Sequence, residues 1–333
     1  MTICICGGGG LGLVCAGVFL SRGVKVRLMT GHPADWSRHI KVYDKSGKEY
    51  SGELSQISSD PQDVIPGSDI IFLTLPGYLI QETLEHIRPY LDAHASVGTV
   101  VSSTGFFFAA HEVLHDKYTL FGFQRVPYIA RARKYGEIGD LLGYKDSLKV
   151  AIENCPEAEE LRQKLEWLFD TPVTHLNNFY EASLTNSNPI LHTGRMYAMW
   201  RNCQNEKYDR QSYFYSDWDN ESSEYIISMD EEFQKLLRTL GIKEGVIPPL
   251  LNYYESADAE SLTRKIKSIP AFQSIMSPMK QEGDIWVPDF TSRYFTEDFP
   301  YGLRFIKELA AQHSVATPVI DEVYDWGMSM IGQ

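Results

Sequence analysis

Ile3-Cys4-Ile5-Cys6-Gly7-Gly8-Gly9-Gly10-Leu11-Gly12, continued by an apolar run from Leu13 to Leu20, is the stretch on which the fold turns. A short apolar segment, a glycine loop and a second apolar segment read as strand, tight turn and helix. The G-x-G-x-x-G spacing falls on Gly7, Gly9 and Gly12. That spacing suits a turn at the first glycine, close approach of a pyrophosphate at the second and helix-on-strand packing at the third. Free N–H groups around Gly9, Gly10 and Leu11, with the positive end of the helix dipole, can bind such an anion without a basic side chain. Gly23 to Met29 supplies a second strand at the expected distance. The expected fold is therefore an α/β Rossmann-type dinucleotide-binding domain.

Outward from this frame, the end of the second strand carries Thr30, followed by His32 and Arg38. An Asp or Glu at that place would bind a ribose 2′-hydroxyl and repel a 2′-phosphate. Thr30 does neither, so NADP(H) is expected over NAD(H), with Arg38 a candidate for the phosphate. Ile40 to Asp44 and Glu49 to Leu54 flank a glycine-containing turn and read as a hairpin, taken as an edge feature. Ser68 to Leu75 is nearly continuously apolar, as in a parallel strand buried on both faces, and ends at Pro76. Ligands of open parallel sheets bind at this edge, so Leu75 and Pro76 are candidates to line the cofactor cleft, unless they form only a strand-to-helix turn. Ser102-Ser103-Thr104-Gly105 is open to the same two readings.

The chain has 333 residues, enough for two cores. With 31 basic and 44 acidic residues its net charge is −13, which disfavours nucleic-acid binding. Five cysteines, at 4, 6, 15, 155 and 203, lack metal-ligand spacing and read as reduced thiols. No apolar run approaches bilayer length. The expectation is a cytoplasmic protein with small-molecule substrates, no metal and no membrane contact, compatible with a homodimer.

Strand patterns at 147–152 and 171–176 flank a helix from Glu157 to Phe169. From Asn177 onward the apolar spacing turns helical, which places the boundary at 176, between a nucleotide-binding domain (1–176) and a mostly α-helical one (177–333). Ser212 to Glu224, rich in aromatic and acidic residues, reads as a solvated loop, the alternative being that Tyr213, Tyr215, Asp217 and Asp219 suit a cationic amino acid. A helix from about Asn178 to Arg201 carries Asn188 and His192 four residues apart, hence on one face, with Pro189 expected to kink it beside them. Further on, Pro300 is tolerated only in a first turn, so a helix should start near Asp298. An Asp there is either a cap or a carboxylate able to accept an imidazole N–H and fix its tautomer.

Asn188-x-x-x-His192, Met229-Asp230-Glu231-Glu232 and Arg293-Tyr294-Phe295-Thr296-Glu297-Asp298-Phe299-Pro300-Tyr301-Gly302-Leu303 with Thr317-Pro318 resemble the opine dehydrogenases, the octopine/nopaline dehydrogenase family. Gly52, Pro127 to Arg131 and Gly143-Tyr144-Lys145 extend the likeness over most of the chain, although Thr193 stands where the family usually has Pro. The resemblance implies a catalytic pair His192 and Asp298, a substrate carboxylate held by Arg293, and Asn188 in the substrate site. It further implies condensation of an amino acid with an α-keto acid, followed by reduction of the imine. A ketopantoate-reductase-like enzyme is the rival, but such enzymes draw a catalytic Lys from the first helix of the second domain, and 178–200 contains none. A non-catalytic NADPH-binding sensor is the alternative from another class.

Overall fold

The computed structural model describes residues 1–202 and 207–331; Cys203, read above as a reduced thiol, lies outside them. Contacts divide the chain into two compact units, 1–185 and 186–333. The first runs β1 (Thr2–Cys6), α1 (Gly10–Ser21), β2 (Lys25–Met29), β3 (His39–Asp44), β4 (Glu49–Glu53), β5 (Gln56–Ser58), α2 (Pro61–Val64), β6 (Ile70–Leu73) and α3 (Gly77–Ile87). It continues with β7 (Ser96–Thr99), α4 (Phe106–Leu114), β8 (Thr119–Phe123), β9 (Tyr128–Lys134), β10 (Ile138–Tyr144), β11 (Leu148–Glu153), α5 (Ala158–Phe169), β12 (Val173–His175) and α6 (Phe179–Ser183).

Among the described residues, eight strands form the main sheet in the order β12-β11-β8-β7-β6-β1-β2-β5. All neighbours in it are parallel except β8 and β11. The period of two explains the apolar runs. Ile3, Ile5, Ile70 and Phe72 enter the core on one face, and Cys4, Cys6, Ile71 and Leu73 enter the core on the other. The strand order reverses beside β1, so the glycine loop after β1 and the residues after β6 meet at the switch point where open sheets bind ligands.

The hairpin read at 40–54 is β3–β4, but it is not an edge feature. It joins β10 and β9 in a second sheet, ordered β4-β3-β10-β9, that covers α1. Glycines allow this close approach: a Cβ on Gly17 would overlap Val42, one on Gly52 would lie 2.6 Å from the Leu20 Cβ, and one on Gly139 would touch Leu13 and Val14. Helix α1 is in consequence buried on nearly every side. The contact boundary falls after Thr185 rather than 176, because α6 packs on β11 and α4 through Ala182 and Phe179.

The second unit is mostly helical: α7 (Asn188–Trp200), α8 (Asn220–Thr239), α9 (Leu250–Tyr253), α10 (Ala259–Ser268), the hairpin β13 (Met279–Glu282) and β14 (Ile285–Pro288), α11 (Arg293–Thr296), α12 (Arg304–Gln312) and α13 (Pro318–Met330). Three expectations are corrected here. The helix 178–201 is two helices, α6 and α7, and Pro189 does not kink α7 but starts it, since a proline without an N–H fits the first turn. Residues 212–218 are not a solvated loop: Phe214, Tyr215 and Trp218 are buried, and Phe214 N–H donates to the Ile275 carbonyl at 2.8 Å. A helical run does start at Asp298 as Pro300 implies, a π-type turn over Phe299–Leu303 closed by Leu303 N–H to the Asp298 carbonyl at 2.8 Å and continued by α12, but the Asp298 side chain makes no capping hydrogen bond.

Buried acids in this unit are satisfied by backbone donors, as buried polar groups must be. Glu232 accepts the N–H groups of Val319 (3.0 Å) and Ile320 (2.9 Å), closing the first turn of α13. Asp230 accepts Leu250 N–H at 2.7 Å, and burial pushes its carboxyl above the usual range. No helix among the described residues is long and apolar enough to cross a membrane.

Candidate active site

The glycine loop fits a dinucleotide by its own geometry. A Cβ on Gly12 would overlap the Gly7 carbonyl oxygen and come within 2.9 Å of Thr74 Oγ1, whereas one on Gly9 meets nothing within 4 Å. Gly12 therefore packs helix to strand, and Gly9 faces open space at the N-terminus of α1, which has no side-chain cap and no acid in its first turn. Those free N–H groups and the helix dipole suit a pyrophosphate. Thr74 Oγ donates to the Gly7 carbonyl at 3.1 Å, and a Cβ on Gly7 would lie 3.1 Å from Leu75 Cδ2. Pro76 opens α3.

Thr30 is buried, and a Cβ on Gly8 would lie 2.5 Å from its hydroxyl and 3.1 Å from that of Tyr135. Tyr135, from the β9–β10 turn, also packs edge-on to Trp36. It escaped the sequence reading because nothing local links residue 135 to the glycine loop. Gly10 and Leu11 form the first residues of α1, and the backbone of Arg131 and Ala132 lies against Gly10. Arg38 donates to the Ser55 carbonyl at 3.0 Å.

In the second unit, His192 is 9% exposed in the second turn of α7. Its Nδ1 lies 2.8 Å from Asp298 Oδ2 and its Nε2 lies 2.9 Å from the Tyr215 hydroxyl. A carboxylate only accepts, so Nδ1 carries the hydrogen; in the neutral ring Nε2 then accepts from the phenol. Phe214 packs edge-on to the imidazole with centroids at 5.6 Å, and Tyr294 lies against it at 4.8 Å. Burial, with the charge of Asp298 among its neighbours, pushes both Tyr215 and Tyr294 above the usual phenol range, so both remain donors near neutrality.

Asn188 is the first residue of α7, on the His192 face, and its carboxamide bonds to no other described residue. Arg293 opens α11, is exposed, and its guanidinium likewise has no hydrogen-bond or ion-pair partner among the described residues. The site thus offers an oriented imidazole and, at the start of the short helix before Asp298, an exposed guanidinium with no partner among the described residues. It can move one proton and hold one anion. Sequence reasoning offered Tyr215 only as part of an aromatic and acidic patch and did not link it to His192, because nothing local connects the two.

Comparison with known proteins shows what the chain is similar to. Residues 175–331 match the family described as NAD/NADP octopine/nopaline dehydrogenase, alpha-helical domain. The chain is similar to an opine dehydrogenase from Haliotis discus hannai, 27% identical over 368 residues that span all of this chain and 91% of that protein. It is also similar to an octopine dehydrogenase from Mizuhopecten yessoensis, 25% identical over all of this chain and 90% of that one. A solved structure of octopine dehydrogenase with NADH and L-arginine superposes with a TM-score of 0.88 at 23% identity, over all of this chain and 90% of that chain.

Proposed function

The chain belongs to the opine dehydrogenase family, and on that premise we propose that it condenses an amino acid with an α-keto acid and reduces the resulting imine at the expense of NADPH. The observation that carries this reading is the bond of His192 Nδ1 to Asp298 at 2.8 Å, within the part of the chain that the family profile matches. Residues 1–176 hold the cofactor through Gly7, Gly9, Gly10, Leu11 and Gly12, flanked by Leu75 and Pro76. Residues 177–333 hold the substrates. The chain acts in the cytoplasm, a reading supported by the free thiols of Cys4, Cys6, Cys15 and Cys155.

When bound, the nicotinamide supplies the hydride. The protein supplies the rest. Asp298 keeps the imidazole oriented and fixes its tautomer, while Nε2 of His192 accepts or returns the proton exchanged as amine and keto acid condense. Arg293, exposed and unpaired among the described residues, is suited to hold a substrate carboxylate by two parallel N–H donors, and Asn188 offers its carboxamide on the same helix face as His192. The test is a screen of NADPH oxidation with α-keto acids, each with and without amino acids. Turnover that requires both partners supports the reading. Reduction of a keto acid alone, or cofactor binding without turnover of any pair, overturns it.

Two further outcomes follow from the residues assigned. Arg293→Lys keeps the charge and loses the fork, so the substrate KM should rise by about tenfold, the loss of roughly 1.4 kcal/mol, with cofactor affinity unchanged. An unchanged KM would make Arg293 structural. Calorimetric titration should show NADPH binding more tightly than NADH, because Thr30 presents no carboxylate to a 2′-phosphate. Arg38→Ala, which also frees the Ser55 carbonyl, should weaken NADPH selectively; equal affinities before and after would remove Arg38 from the site.

A further inference from the structure

The imidazole of His192 has one acceptor nitrogen, and that nitrogen is occupied. Nδ1–H is committed to Asp298, and Nε2 receives the Tyr215 hydroxyl at 2.9 Å. What matters is whether Tyr215 can step aside, and its surroundings hold it in place. Its ring stacks on Phe272, with centroids at 4.1 Å and planes 19° apart, and on Trp218, at 5.8 Å and 6°. It is only 5% exposed.

The segment around it is clamped by Arg195, one turn beyond His192 on α7 and 2% exposed. This guanidinium donates to the carbonyls of Phe214 (3.3 Å) and Asp217 (2.8 Å), to the Asp219 carboxylate (2.9 Å) and to Ser222 Oγ (2.7 Å), and it lies over the Trp218 ring. Every one of these partners lies between 214 and 222. On the other side the segment is tied by Phe214 N–H to the Ile275 carbonyl and Ser277 N–H to the Ser212 carbonyl, both at 2.8 Å. A buried Arg with so many donors committed fixes a loop more firmly than a solvated one.

From this fixed placement we propose that Tyr215 is the group through which His192 exchanges protons, so that the relay is Asp298, His192, Tyr215 and then substrate. The inference rests on the functional reading above. When the imidazole takes up a proton, the phenol hydrogen moves to Nε2 while a substrate N–H or O–H delivers its own proton to a lone pair of the Tyr215 oxygen. The phenol is restored in the same step. The reverse step returns a proton to substrate by the same two bonds, so no phenolate accumulates, in keeping with a hydroxyl that burial holds well above the usual range.

The groups that face His192 are few. Asp298 precedes the π-type turn, Tyr294 comes from α11 and Tyr215 from the clamped segment. On its own helix Arg195 turns to residues 214–222. Of the other helices packed on α7, α8 meets Gly194 with Ile226 and Met229, and α13 meets Tyr197 with Glu322 and Trp326.

The test is Tyr215→Phe, which keeps the aromatic stack and removes only the hydroxyl. The hydrogen bond donated to Nε2 is lost with the hydroxyl, so the Nε2 resonance of His192 should move, read by 15N NMR of histidine-labelled protein with His192→Asn for assignment. This measurement needs no substrate and so stands apart from the functional reading. With a substrate pair in hand, kcat should fall by about 10²-fold or more with KM for NADPH unchanged, and Tyr215→Phe combined with His192→Ala should be no slower than His192→Ala alone. An unmoved His192 Nε2 resonance, or wild-type kcat in Tyr215→Phe, overturns the proposal; a hydroxyl of purely structural value would leave kcat unmoved.

Discussion

Replacing His192 by Ala should lower kcat by about 10²–10⁴-fold, the usual worth of a positioned proton-transfer group. Asp298→Asn should lose a large part of that, since an amide can present its own N–H to Nδ1 and stabilise the wrong tautomer. The double variant should be little slower than His192→Ala, because the two side chains share one hydrogen bond of 2.8 Å and act as a unit. Steady-state kinetics on the three proteins checks this. NADPH affinity, measured by fluorescence titration, should be the same in all of them, since the pair lies in the second unit and the glycine loop in the first. Additive losses would show that imidazole and carboxylate serve separate purposes.

A comparable effect, on binding rather than chemistry, is expected from Gly12→Ala. The added methyl would overlap the carbonyl oxygen of Gly7, a backbone atom held by the Thr74 hydroxyl, so the strand-to-helix turn must deform. Overpacking of this kind costs about 1–3 kcal/mol, which corresponds to roughly 10–100-fold weaker NADPH binding together with a lower melting temperature. Gly9→Ala supplies the contrast. Its methyl meets no protein atom, so thermal stability should hold while NADPH affinity falls, the open space at the N-terminus of α1 being where a pyrophosphate approaches. Equal affinity in Gly9→Ala and the parent would put the phosphates elsewhere.

The contrast between these glycines also shows what the sequence could reveal. The β1–loop–α1 frame is legible because its residues interact with near neighbours, and the buried strand at 70–73 because two buried faces demand an unbroken apolar run. His192 and Asp298 are legible as chemical types, but only the fold brings together groups so far apart in the chain. Tyr215 was hidden for another reason. An aromatic and acidic run looks solvated until the cation that organises it is found, and that cation, Arg195, sits among apolar residues of α7 where a lone arginine could have prompted the search for Asp217 and Asp219. The second sheet was half seen: β3 and β4 alternate around a local turn, whereas their partner β10 pairs in parallel from far along the chain. Pro189 looks like a kink in the sequence because the helical spacing runs through the break between α6 and α7.

That second sheet gives the glycine loop a history its motif conceals. Helix α1 is made early in synthesis, yet it is apolar on nearly all sides, and although β3 and β4 follow closely it stays only partly covered until β9 and β10 have been added and have closed a long loop back onto it. A local signature is thereby tied to a non-local assembly step of high contact order. The nascent nucleotide site must wait, with sticky surface exposed, for strands that arrive far later. Any natural shortening of this region would have to remove both hairpins together or repaint the helix with polar residues.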